Sequence, residues 1–251
     1  MTPTEQWEHG VKGGRERRLG MEDRFERRFA AGCAIVGSVA LFLGTYLHPM
    51  DADPHDAVAA FAEYAADRLW VTSHLTQFSG VVLMVAALLI IAKRLEHTES
   101  NTWARLGSAG AVAGMALAAA LQAVDGVALK VMVDAWAAAP TGEKAMVFQG
   151  AFAVRQIETG LAAMFALLMG CAVTLYGVAL WHAWWFPRWL AVLAIVGGVS
   201  TAAGGIAIAY TGFSSLAMSI NMPANSMLLL WMLAVGGVLS REQRSVSRRG
   251  A

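Results

Sequence analysis

The chain has 251 residues, of which 57% are hydrophobic and 15% charged, and its net charge is +1. A soluble domain carries about 25% charged residues, and the deficit here falls in long uncharged runs of the kind that cross bilayers. The balance gives no footing for nucleic acid as a partner. Cys33 and Cys171 each stand alone in apolar runs, which argues against a cysteine-built zinc site or a disulfide and for two small buried hydrophobes.

Residues 1–28 are polar and arginine-rich, with no apolar core or cleavage site of a signal peptide. They read as a disordered basic tail, and Met21 is a candidate true start. Six stretches then reach the roughly 20 apolar residues that a span needs. These are Ala30–His48, Val71–Ala92, Leu106–Ala138, Ala145–Trp185, Leu190–Tyr210 and Pro223–Leu239. The expected fold is an all-α bundle of six transmembrane helices over 29–240, followed by a basic tail at 241–251.

Lys and Arg set the orientation. With the N-terminus inside, the inner segments hold Arg24, Arg27, Arg28, Lys93, Arg94, Arg105, Arg188, Arg241 and their basic neighbours in both tails. The outer side holds only Arg68, Lys130, Lys144 and Arg155. Both termini are therefore expected in the cytoplasm, with the protein multi-pass in the plasma (inner) membrane. Tryptophans at 181–189 read as an interfacial belt. His9, His97 and His182 fall on this inner side.

Between helices one and two, Asp53 reads as an N-cap and Pro54 as a first helical position. An amphipathic helix is expected over 54–69. Val58, Phe61, Ala62, Ala65 and Leu69 would share its apolar face, with Asp56, Glu63 and Asp67 opposite. It would lie on the outer surface, as a plain connector or as a lid. Gly110, Gly114 and Ala118, and Gly197, Thr201 and Gly205, form small-residue stripes suited to close helix packing or to oligomerisation.

Phe186-Pro187-Arg188-Trp189-Leu190 followed by Gly197-Gly198 resembles a turn in uncharacterised six-helix bacterial membrane protein families. That resemblance implies the same architecture and no activity.

Ionisable residues inside spans are costly and so mark candidate sites. Counted from the inner end of each helix, they gather near the outer face. His48 closes helix one, and His74 and Gln77 open helix two. Gln122 and Asp125 end helix three, with Arg155 and Glu158 beside them on helix four. Tyr210, Asn221 and Asn225 belong to helices five and six. A regular hairpin of helices three and four would pair Asp125 with Arg155 and Gln122 with Glu158.

Two functional readings follow. In the first, an outward polar pocket made by His74, Gln77, Gln122, Tyr210 and Asn225 binds a small ligand or cation. In the alternative, an intramembrane enzyme acts at the outer leaflet through Glu158, Asp125 and Arg155, or through a metal on His48 and His74. Histidine and carboxylate supply the nitrogen and oxygen ligands that zinc prefers. A third reading is a structural subunit whose charges pair for their own sake. No phosphate loop, nucleophile elbow, voltage-sensor ladder or selectivity filter is present in the sequence.

Overall fold

The computed structural model describes the backbone over 3–96 and 98–249, and side chains over 21–96 and 98–241. His97 and the side chain of His9 lie outside these residues. Eight α-helices follow in chain order: α1 (Pro3–Leu47), α2 (Ala57–Ala66), α3 (Trp70–Arg94), α4 (Asn101–Gln122), α5 (Lys130–Ala138), α6 (Lys144–His182), α7 (Arg188–Thr211) and α8 (Ser215–Arg249). A π-helical stretch, Ala123–Leu129, joins α4 to α5, so Asn101–Ala138 forms one span. Among the described residues, six helices are long and apolar enough to cross a membrane. They pack in chain order, and α8 closes the ring against α1.

The small residues explain the close packing. A Cβ on Gly170 would sit 2.6 Å from the Gly198 carbonyl, so α6 and α7 touch backbone to backbone only because both positions are glycine. Gly110 and Gly114 face Ala172 and Met169 of α6, Gly197 faces α8, and Gly205 faces α6. Both stripes are thus occupied within the chain.

Some boundaries differ from the sequence reading. Residues 21–28 belong to α1, with Arg27 buried, so the basic stretch before Phe29 is helix there rather than tail. The last helix starts at Ser215 and carries Pro223 in its interior. Cys33 is buried, but Cys171 is exposed on the outside of the bundle. Tyr176 makes a polar node inside the bundle, within 2.8 Å of Ser108 and donating to the Leu88 carbonyl at 2.9 Å.

α5 and the start of α6 rise past the main apolar core and meet α2. There Ala60, Phe61, Tyr64, Trp70, Leu129, Val133, Trp136 and Ala151 make a second core. α2 is shorter and rotated relative to the expected helix. Its N-cap is Asp56, whose carboxylate accepts from the Val58 and Ala59 amides. Val58, Ala62 and Leu69 are exposed, and the buried face is Ala60, Phe61 and Tyr64. The rotation follows the aromatic partners: Phe61 lies against Trp136 and Phe148, and Tyr64 against Trp70. α2 is a roof on the bundle. Lys130 fastens it by donating to the Tyr64 and Ala65 carbonyls at its C-terminal end.

Candidate metal centre

The site lies where roof and bundle meet, at the end opposite the Lys93–Glu26 and Arg94–Asp23 pairs. His48 follows the last residue of α1, His74 sits in the first turns of α3, and Asp125 lies in the π-helical stretch. One ligand atom from each lies within 4.8 Å of the other two. Tetrahedral zinc with bonds near 2.0 Å places its ligands roughly 3.4 Å apart. His74 Nε2 and Asp125 Oδ2 are already 3.0 Å apart. Closing the set is chiefly a short inward shift of His48, which stands on a helix end.

Backbone carbonyls fix both imidazoles. His74 Nδ1 is 2.7 Å from the Trp70 carbonyl, and His48 Nδ1 is 2.7 Å from the Pro49 carbonyl. A carbonyl only accepts, so each Nδ1 carries its hydrogen. Nε2 is then the free ligand atom, as is usual for metal-binding histidines. Burial pushes the His48 imidazole below its ordinary pKa, against the upward pull of Asp125. That favours the neutral form, which binds metal.

Asp125 faces His74 because of the π turn. The wider i→i+5 turn inserts a residue and swings the helix face around. The Asp125 carbonyl is released to accept from Trp70 Nε1 at 2.9 Å. Gly126 allows the approach: a Cβ there would sit 2.6 Å from His74 Cβ. This contact replaces the expected Asp125–Arg155 pair, which assumed regular α-helix through 125.

Arg155 instead pairs with Glu158 on its own helix, Nη1 donating to both carboxylate oxygens at 2.8 Å. Glu158 is 3% exposed. The Arg155 guanidinium is held over the rings of Phe213 at 4.6 Å and Tyr64 at 5.5 Å. Burial pushes the Tyr64 hydroxyl up to about 12, although Arg155 draws it down. The charge of Asp125 reaches both Arg155 and Glu158, so these three groups and His74 share one polar neighbourhood. Gln122 bonds to Gln77 at 3.3 Å and not to Glu158.

The remaining expected ligands fall elsewhere. Tyr210 is 87% exposed, and Asn225 is exposed on α8. Both point out of the bundle, where a cup would have needed them inside. The outer polar residues are packed among aromatic rings. A concavity of about 330 Å³ lies at the other end, lined by Trp181, His182, Ala183, Trp184, Phe186 and Arg188. Sequence reading missed Trp70, Tyr64 and Lys130. Trp70 carried a signal, as a tryptophan four residues before a histidine at a helix start.

Among the described residues, three buried polar atoms in this part of the bundle have no hydrogen-bond partner: His74 Nε2, Asp125 Oδ1 and, three residues before Asp125, Gln122 Oε1. His74 Nε2 and Asp125 Oδ2 stand 3.0 Å apart, an ion pair when His74 is protonated and a ligand-to-ligand distance short enough for a shared metal when it is not. The nearby donors are committed elsewhere. Ser73 Oγ donates to the Trp70 carbonyl, as does His74 Nδ1, and Trp70 Nε1 donates to Asp125. What faces the centre is a set of lone pairs. Compared with known proteins, the chain matches no family model, no curated protein and no solved structure.

Proposed function

We propose that this multi-span membrane protein is a metal-dependent intramembrane enzyme, with His48, His74 and Asp125 holding a zinc-type divalent cation at the outer leaflet. The observation that carries the reading is the convergence of acceptors. Two imidazoles and a half-buried carboxylate meet, and among the described residues neither His74 Nε2 nor Asp125 Oδ1 has a hydrogen-bond donor. In a low-dielectric setting such a hole is repulsive until a cation enters it. A proton shared by His74 and Asp125 would satisfy that pair alone; a divalent ion satisfies His48 as well.

The charge count supports a cation. Arg155 and Glu158 neutralise each other, which leaves the Asp125 carboxylate to a protonated His74 or to a metal ion. Three protein ligands leave a fourth position for water, which is the pattern of catalytic rather than structural zinc. A metal held by these three residues would supply a water activated as a nucleophile at neutral pH, the chemistry of acyl or phosphoryl hydrolysis. Glu158 serves less as a free base than as the partner that holds Arg155, because their ion pair is already complete. The outer-leaflet placement rests on the excess of Lys and Arg at the other end, near both termini.

Elemental analysis of the full-length protein, purified without added metal or chelator, tests the reading. Wild type should carry about one transition-metal ion per chain, and His74→Ala should fall to background. Sub-stoichiometric metal in wild type that does not rise on reloading, or equal metal in both proteins, would sink the proposal.

A further inference from the structure

We propose that the concavity at the turn between α6 and α7 binds the phosphate headgroup of an anionic phospholipid, with the Arg188 guanidinium as its anion-binding group. The lipid comes from the leaflet on the side of both termini. The site is at the opposite end of the bundle from His48, His74 and Asp125 and does not depend on the metal reading.

The turn holds two arginine–tryptophan stacks that end differently. The Arg94 guanidinium lies 5.3 Å from the centre of the Trp185 ring, and its Nη1 also donates to Asp23 at 2.6 Å. The Arg188 guanidinium lies 5.3 Å from the centre of the Trp181 ring, and among the described residues no carboxylate pairs with it. Stacking uses the flat face of a guanidinium and leaves its N–H groups, which lie in the plane, free to donate. Those donors match two oxygens of a phosphate in a bidentate pair. Arg188 lines the concavity of about 330 Å³ together with Trp181, His182 and Trp184, and no acidic residue shares that lining. His182 brings one ring N–H even when neutral. The space is at the low end of the roughly 300–1,000 Å³ of small-molecule pockets, enough for a headgroup and more than a lone ion needs.

Depth decides between a lipid and a soluble anion. α7 has 24 residues, about 36 Å at 1.5 Å per residue, against a hydrocarbon core of about 30 Å. Arg188 is its first residue and so stands within about a turn of the hydrocarbon edge, at the level of lipid phosphates. Trp181, Trp184 and Trp189 are 43%, 95% and 53% exposed. Indoles in that position settle in the interfacial layer, so the concavity opens among headgroups rather than into bulk water. An aromatic belt alone would account for the tryptophans. It would not account for a cavity with a guanidinium in its wall that no carboxylate neutralises.

Thermal unfolding of the full-length protein in neutral detergent micelles, doped with phosphatidylglycerol or phosphatidylcholine, tests this, because a ligand of the folded state raises Tm. Phosphatidylglycerol should stabilise wild type with a half-saturating amount about tenfold below that of phosphatidylcholine. Arg188→Gln should lose that preference. Arg105→Gln removes an exposed charge at the same end, on α4 and outside the lining of the concavity, and should keep it. Trp184→Ser alters a side chain that is 95% exposed and keeps the test open if Arg188→Gln fails to fold. It too should need severalfold more phosphatidylglycerol than wild type. Equal loss in the two arginine variants would reduce the effect to general surface charge and overturn the site, as would a wild type without preference between the lipids. The same stabilisation by inorganic phosphate alone would assign the concavity to a soluble anion and overturn the lipid.

Discussion

Two buried polar nodes in this bundle have opposite accounts. Around Tyr176, on the side of the basic helix ends, a hydroxyl meets Ser108 and a carbonyl of α3, and its hydrogen-bonding capacity is used within the protein. Around His74, beneath the roof, two imidazoles and a carboxylate converge, and among the described residues His74 Nε2 and Asp125 Oδ1 have no hydrogen-bond donor. Both are buried in a setting where an unmade hydrogen bond costs free energy. A complete node explains itself as a fastening between helices. An incomplete one points to something outside the chain. Burial of polar residues alone therefore does not mark a site; the unmatched inventory of donors and acceptors does.

That contrast can be broken in stages. The largest stability change is expected at Arg155. Arg155→Ala leaves Glu158 buried without its partner, and removing one member of a buried pair costs about 3–5 kcal/mol. Replacing Arg155 with Met and Glu158 with Leu together should recover most of that loss in thermal or denaturant unfolding. A double variant no more stable than Arg155→Ala would mean that the pair is not an isolated unit. A smaller change is expected at the complete node. Tyr176→Phe removes one buried hydrogen bond and should cost about 1–3 kcal/mol, with metal content untouched. Loss of metal in Tyr176→Phe would show that the two nodes are coupled, contrary to the reading of one as fastening and the other as site.

The six spans were legible because they depend on composition alone: about 20 apolar residues are needed wherever the backbone must satisfy itself in lipid. The depth of the polar residues was legible for the same reason, since residue count fixes height. Their partners were not. Asp125 was assigned to Arg155 on the assumption of regular helix, and the π turn at Ala123–Leu129 turned it to His74 instead. Nothing in that stretch breaks a helix in the ordinary way; Gly126 is the one local hint, and it becomes meaningful only with His74 against it. The rotation of α2 has a similar cause. Its apolar pattern, with alanine at most turns, fits more than one face. The choice was made by Trp136, Phe148 and Trp70, which come from distant parts of the chain. Tyr210 and Asn225 had the right depth and the wrong face.

The central claim is that His48, His74 and Asp125, whose ligand atoms lie within 4.8 Å of one another, are the first coordination sphere of a metal. X-ray absorption on the zinc-loaded protein tests it most directly. The account predicts two imidazole nitrogens and oxygen ligands at about 2.0–2.2 Å, with one imidazole lost in His48→Ala. A spectrum without imidazole scattering, or with sulfur at about 2.3 Å from Cys33 or Cys171, would contradict it.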